Sequence, residues 1–161
     1  MAEPKNANEL SVEQLEERIA RLAFDGDSLR YREFLAKLKA GLPEGTGIAL
    51  RGSVVTNKRW EDGKPFDSEG RGTSDLDVTL VGAKVMEYWN EEAFYLPKLH
   101  TKPLCDKDPD IAPALNPLRK ELQKLAGRPV AFQATSNVIL FARDVLFGEP
   151  FCMVVEEQKA P

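Results

Sequence analysis

The chain has 161 residues, a net charge of −4 and an isoelectric point near 5.2. This length predicts a single domain over residues 1–161 with a core of its own, and the acidic balance excludes the tight non-specific nucleic-acid binding that a basic surface provides. No apolar run approaches the roughly 18 residues of a membrane-spanning helix and no signal-peptide pattern opens the chain, so we expect a cytoplasmic protein without membrane partners, whose cysteines are reduced.

The first forty residues predict a polar segment and two structural helices. Residues 1–10 are polar, and we expect them to be disordered. Ser11 and Gln14 have the spacing of a capping box, so a helix starts after Ser11 and continues to the Asp-Gly interruption at residues 25–26. A second helix starts at residue 27 or 28 and ends at Gly41.

An apolar strand, a Gly-Ser turn and a strand with two aspartates follow. The strand at residues 48–50 breaks at Gly52 and Ser53, and Asp75 and Asp77 alternate with apolar residues further on. Because successive strand side chains point to opposite faces, the two carboxylates share one face, about 7 Å apart at the backbone, and can bind the same divalent cation. Gly52 allows a phosphate to approach closely, and Ser53 adds a hydroxyl and a main-chain N–H for an anion.

This order of motifs, Gly52-Ser53 and then Ser74-Asp75-Leu76-Asp77, resembles the signature of the polymerase-β-like nucleotidyltransferase superfamily. The resemblance implies a nucleotidyltransferase palm, an α+β fold with a short twisted mixed β-sheet backed by helices. It implies that Gly52 and Ser53, with the adjoining Arg51 and Ser74, bind the nucleotide. It also implies that Asp75 and Asp77 are catalytic and bind Mg²⁺ or Mn²⁺.

The implied function is metal-dependent transfer of a nucleoside monophosphate from an NTP to an acceptor hydroxyl. A lone palm has no recognisable acceptor site, so three kinds of acceptor remain as alternatives: a partner protein, a small molecule or RNA. The alternative is a degenerate palm that binds nucleotide or a partner protein without efficient turnover. A purely structural module would require the two aspartates to be accidental.

Residues 54–73 form an insertion between the two halves of the motif, longer than is usual in the family. One interpretation is a lid in which Lys58, Arg59 or Arg71 contacts phosphates. The other, which we favour, is a solvated hairpin.

The stretch after Gly82 predicts a short helix at residues 85–89 and a long proline-rich segment from residue 96 to residue 117. Its histidine, His100, has no spaced partner and is expected at the surface or in packing. Three aspartates at residues 106, 108 and 110 are expected to form a solvated acidic turn. Asn116 is the expected N-cap of a further helix, with proline at the first position, and Gly127 ends it.

A third strand is predicted for residues 130–135. In the family that the motif resembles, this strand carries a third carboxylate. The matching residue is Gln133, and because an amide cannot accept a proton at neutral pH we expect slow turnover. Glu156 and Asp67 are possible substitutes, and Arg143 and Asp144 are further candidates. A helix capped by Ser136 and a last strand at residues 151–156 complete the predicted fold.

Overall fold

The computed structural model describes residues 6–158, so the disorder expected for residues 1–5 concerns residues outside the described part. Within the rest of the polar segment, Ala7–Glu9 forms a short 3₁₀ helix, and Ala7 is buried in the core.

Two helices open the fold at the predicted positions. Helix α1 spans Val12–Phe24 and starts at a complete capping box, in which the Ser11 hydroxyl accepts from the Gln14 amide and the Gln14 side chain accepts from the Ser11 amide. Helix α2 spans Ser28–Ala40, is capped by Asp27 and ends at Gly41. Both helices bury apolar faces in the main core, and neither contributes to the cleft described below.

Six strands form one mixed sheet. They are β1 (Gly47–Arg51), β2 (Leu76–Val81), β3 (Phe94–Leu96), β4 (His100–Thr101), β5 (Val130–Thr135) and β6 (Phe151–Val155). Their spatial order is β3-β4-β5-β2-β1-β6. Strands β2 and β5 are parallel, and every other neighbouring pair is antiparallel.

Four shorter helices connect these strands: α3 (Ser53–Thr56), α4 (Ala83–Met86), α5 (Asn116–Ala126) and α6 (Val138–Asp144). Asn116 is the first residue of α5 rather than its predicted N-cap, because its side chain donates to the Pro109 carbonyl instead of capping the helix. Similarly, α6 is capped by Asn137, one residue after the predicted Ser136. The hairpin of β3 and β4 was not predicted, since its strands are only three and two residues long.

The two faces of the sheet differ in character. One face carries the apolar residues of the central strands, such as Leu50, Val78 and Phe132, which belong to a core shared with α1, α2 and α5. The other face carries polar and small residues of the same strands, and α6 covers part of it through Phe141. The predicted α+β class, with a mixed sheet backed by helices, is therefore confirmed. Among the described helices, none has the length and apolar character needed to cross a membrane.

Candidate functional site

The turn after β1 brings Gly52 against the carboxylate of Asp77. Gly52 has φ +80° and ψ −153°, a conformation that residues with a Cβ rarely adopt. A Cβ at this position would lie 2.8 Å from Asp77 Oδ2, too close for a carbon–oxygen contact. Helix α3 starts at Ser53, and the amides of Val55 and Thr56 both bond to the Gly52 carbonyl. The two separated halves of the predicted motif therefore meet in space.

Asp75 and Asp77 line the same cleft, with Asp75 exposed just before β2 and Asp77 half-buried within it. Although Asp75 keeps contact with solvent, partial desolvation by the surrounding cleft raises its pKa; Asp106 and Glu61 add to this rise and Lys107 opposes it. Burial also raises the pKa of Asp77; Arg51 opposes this rise, whereas Asp75 and Glu61 add to it. Because like charges disfavour ionisation here, a bound cation would relieve an existing repulsion.

Arg51 is a fixed positive charge beside Asp77, its partner across the β1–β2 pair. Its Nε donates to Thr79 Oγ1 at 3.1 Å and its Nη2 donates to Gln133 Oε1 at 2.7 Å. The guanidinium carbon lies 5.5 Å from the ring centroid of Phe141. Burial lowers the pKa of Arg51, and Asp77 opposes this shift. Arg51 therefore contributes charge to the site from a position fixed by the sheet.

Gln133 lies on the site face, as predicted, but it is not the residue beside Asp77. The parallel pairing of β2 and β5 places Ala131 beside Asp77 and Gln133 beside Thr79, two residues further along. Gln133 is 2% exposed, accepts from Arg51, and donates to the Thr101 carbonyl. Ala131, and not Gln133, is therefore the β5 residue that pairs with Asp77. No residue of β5 on this face is acidic.

The insertion is neither a hairpin nor a freely solvated loop. Residues 57–73 contain turns but no strand, and Phe66 in their middle is buried. Asp67 Oδ1 accepts from Arg128 Nη1 at 2.7 Å and from the Ser74 amide at 2.9 Å, and the Asp67 amide donates to Ser74 Oγ at 2.8 Å. The Arg128 guanidinium also lies 4.6 Å from the ring centroid of Phe66. Ser74 lines the cleft, but its hydroxyl anchors this loop.

The three insertion cations considered as phosphate ligands, Lys58, Arg59 and Arg71, have different positions. Arg59 lines the cleft and is tied to acids of its own loop, Asp62 at 3.0 Å and Glu69 at 3.3 Å. Arg71 pairs with Asp25 of the first interhelical turn and does not line the cleft. Lys58 lines the cleft and forms no ion pair with any residue from 6 to 158. Of the three, Lys58 is best placed to meet an anionic ligand.

The segment after α6 also lines the cleft, although nothing in its sequence indicated a place in the site. Five of its residues line the cleft: Val145, Leu146, Phe147, Glu149 and Pro150. Glu149 supplies a carboxylate and Phe147 an aromatic ring that is 75% exposed. The sequence predicted only a turn for this stretch, since Gly148-Glu149-Pro150 is a strong turn pattern.

The other candidate acids lie outside the cleft. Glu156 follows the end of β6 that pairs with Ile48, whereas the site lies at the Arg51 end of β1. Asp67 is engaged with Arg128. Asp106 pairs with Arg119 at 2.8 Å in the acidic turn. Neither Glu156 nor Asp67 therefore adds a carboxylate to the cleft that holds Asp75 and Asp77.

His100 is a packing residue, as predicted, although it is buried rather than at the surface. Its Nδ1 lies 2.9 Å from Thr135 Oγ1, and its Nε2 lies 2.9 Å from Asp144 Oδ2. Its ring packs edge-on against Phe141. The set resembles an Asp-His-hydroxyl arrangement, but Thr135 is fully buried and no substrate could reach it. Its role is to hold α6 on the polar face of the sheet; the neighbouring Arg143 is bonded to Asp144.

The assembled cleft has a volume of about 720 Å³, within the usual range for small-molecule sites. Its lining has five carboxylates (Glu61, Glu69, Asp75, Asp77 and Glu149) and three cations (Arg51, Lys58 and Arg59). Two carboxylates next to a Gly-Ser turn are a donor set that suits Mg²⁺, which commonly binds through one or two carboxylates plus substrate phosphates. Within residues 6–158, no cluster of three or more His, Cys, Asp or Glu residues could bind a metal by itself.

Comparisons with known proteins yield no match to a family model, to a curated protein or to a solved structure.

Proposed function

We propose that the chain is a metal-dependent nucleotidyltransferase of the palm type, which binds an NTP in this cleft and transfers its nucleoside monophosphate to an acceptor hydroxyl. The observation that supports the proposal is the contact between Gly52 and Asp77, which joins the Gly-Ser turn to the aspartate pair in one cleft. A phosphate-binding turn beside two carboxylates is the arrangement that phosphoryl transfer needs.

Each residue has a distinct role in this proposal. Asp75 and Asp77 would hold Mg²⁺ or Mn²⁺, which when bound neutralises triphosphate charge. Ser53 Oγ and the main chain of Gly52 and Ser53 bind phosphate oxygens, and Lys58 adds positive charge at the mouth. The acceptor oxygen forms a bond to the α-phosphorus. The bond between that phosphorus and the oxygen that joins it to the β-phosphorus breaks, and pyrophosphate leaves. The hydroxyl proton passes to solvent, because β5 offers no carboxylate to take it.

The absence of a carboxylate on the site face of β5 favours a second candidate, a palm that binds metal–NTP with little turnover. A lost general base costs roughly 10²–10⁴-fold in rate. The acceptor, whether a partner protein, a small molecule or RNA, would then be modified slowly or not at all.

One experiment tests both candidates. The protein is incubated with each α-labelled NTP and Mg²⁺ or Mn²⁺, alone and with a cell extract as the source of acceptors, and Asp77→Asn serves as the control. The enzyme proposal predicts label transfer that Asp77→Asn abolishes. Binding without transfer in the wild type, and transfer gained in Ala131→Asp, would support the second candidate. No binding and no transfer with any NTP would contradict both.

A further inference from the structure

Two highly exposed aromatic rings, carried by different segments of the chain, line the cleft. Trp60 is on the insertion and Phe147 is on the segment after α6, and both line the cleft that contains Asp75 and Asp77. Their exposed fractions, 76% and 75%, are the largest of any aromatic side chain in the described part of the chain. We propose that Trp60 and Phe147 form an aromatic clamp that stacks on the base of the NTP. The inference rests on the proposed function and deepens it.

Trp60 is exposed although the turn that carries it is well fixed. The Gly63 amide donates to the Arg59 carbonyl at 2.8 Å, and the Arg59 amide donates to the Lys64 carbonyl at 2.7 Å, so residues 59–64 form a closed turn. Inside that turn Arg59 is tied to Asp62 and Glu69. The backbone of this turn therefore keeps Trp60 exposed in the lining of the cleft, where its ring is available to a ligand.

Phe147 is exposed and its backbone is strained. Its φ is +51°, in the left-handed region where a residue with a Cβ is disfavoured and where glycine commonly ends a helix. The turn is fixed by the bonds from the Gly148 amide to the Ala142 carbonyl and from the Glu149 amide to the Leu146 carbonyl. Glycine would remove the strain, and yet the position carries a benzyl group at the edge of the cleft. Strain of this kind is concentrated at ligand sites.

The ligand class follows from the surroundings of the two rings. The cleft also holds the Gly-Ser turn and the two aspartates, which suit a metal–triphosphate, and both rings expose most of their surface beside them. A nucleobase is the part of an NTP that is flat, aromatic and free to extend from the phosphates. Stacking on aromatic rings tolerates every base because each has a π-face, and purines offer the larger area. We therefore expect purine NTPs to bind more tightly than pyrimidine NTPs, with little discrimination between adenine and guanine.

The test compares a nucleotide with the same phosphates lacking a base. Calorimetric titrations use Mg²⁺ with a non-hydrolysable ATP analogue and Mg²⁺ with inorganic tripolyphosphate, against the wild type, Trp60→Leu, Phe147→Leu and Tyr88→Leu. Tyr88 is a matched control, because it is an exposed aromatic residue outside the cleft. The clamp predicts that the first two variants weaken binding of the ATP analogue by roughly 5- to 150-fold and leave tripolyphosphate binding unchanged. Tyr88→Leu should bind both ligands like the wild type.

The outcomes separate this inference from the proposed function. If the wild type binds tripolyphosphate and the ATP analogue equally well, or if Trp60→Leu and Phe147→Leu bind the analogue like the wild type, the clamp is wrong and the phosphate site stands. If both substitutions weaken the binding of the ATP analogue and of tripolyphosphate to the same extent, the rings shape the cleft and do not contact a base. That result also overturns the clamp. If the wild type binds neither ligand, the clamp and the proposed function fail together.

Discussion

At the scale of single residues, the aspartate pair is kept at an energetic cost. Asp75 and Asp77 both have raised pKa values because burial and neighbouring carboxylates disfavour their charged forms. Neutral side chains of the same shape would avoid this cost. A pair of side chains that opposes folding, in the same cleft as the Gly-Ser turn, is the pattern expected of residues retained for a ligand.

We therefore predict that Asp75→Asn and Asp77→Asn each raise the thermal stability of the metal-free protein at neutral pH, by a few tenths of a kcal/mol to about 1 kcal/mol. Differential scanning calorimetry in the presence of a chelator measures this. Asp108→Asn is the control, since Asp108 is exposed in the acidic turn and forms no ion pair with any described residue. A clear loss of stability in both site variants would show that the aspartates are structural.

The raised pKa values of Asp75 and Asp77 determine how the stability of the folded protein changes with pH. A carboxyl whose pKa is higher in the folded state than in the unfolded state binds its proton more tightly when folded, so the stability of the wild type falls as pH rises from the ordinary aspartate pKa through the raised one. Both asparagine variants should lose part of this dependence. Metal affinity has the opposite trend, because the metal competes with the proton and binding weakens as pH falls through the raised pKa.

At the scale of elements, the insertion is held by one buried ion pair. Burial alone would raise the pKa of Asp67, but hydrogen bonds from Arg128, Ser74 and Gly72 outweigh burial and hold that pKa below its usual range. Arg128 is 6% exposed and also donates to the Ser74 carbonyl. Removing Asp67 would leave this guanidinium buried without its partner.

Asp67→Ala should therefore destabilise the protein by about 3–5 kcal/mol, the usual cost of breaking a buried pair. Urea unfolding measures the loss, and limited proteolysis should show new cleavage within residues 57–73. Because the pKa of Asp67 is lowered, its contribution is present above the ordinary aspartate pKa and is lost as pH falls through the lowered pKa. Glu69→Ala, which removes an exposed partner of Arg59 in the same loop, should change stability by less than about 1 kcal/mol. Equal effects of the two changes would contradict the anchoring role of Asp67.

The sequence predicted the elements whose signals are local. The capping box at Ser11, the left-handed glycine Gly127 and the alternation around Asp77 each depend on neighbours within a few residues, and the structure has each of them. The short strands β3 and β4 were missed because their pairing partners lie elsewhere in the chain: β4 adds to β5 through the pair His100 and Thr135.

The site was predicted in part for the same reason. The sequence identified the residues of one motif, but a further part of the cleft lining comes from residues 145–150, more than sixty positions after Asp77. Which residue lies beside Asp77 depends on the strand register. Alternation places both Ala131 and Gln133 on the same face as Asp77. Only the pairing of β2 with β5 shows that Ala131 is the neighbour. The fold of the insertion depends on Arg128, which the sequence does not connect to Asp67.

At the scale of the whole molecule, the sheet separates a core from a site. The apolar face packs on three helices, and the opposite face keeps a buried polar layer of Thr79, His100, Gln133 and Thr135. Thr79 and Gln133 accept hydrogen bonds from Arg51, Gln133 donates to the Thr101 carbonyl, and the His100 ring is hydrogen-bonded to Thr135. Such a network fixes Arg51 and α6 and thereby determines the geometry of the cleft at the end of β1.

The cleft lining carries more carboxylates than cations, so free nucleotide should bind poorly and a metal–nucleotide complex well. The central claim is that Asp75 and Asp77 receive a divalent metal together with triphosphate. Electron paramagnetic resonance of Mn²⁺ tests it most directly, with the wild type and Asp77→Asn titrated in the presence and absence of a non-hydrolysable NTP. The account predicts that the NTP greatly increases Mn²⁺ binding to the wild type and that Asp77→Asn abolishes this ternary complex while remaining folded. Mn²⁺ binding that is the same in both proteins, or that the NTP does not promote in the wild type, would contradict it.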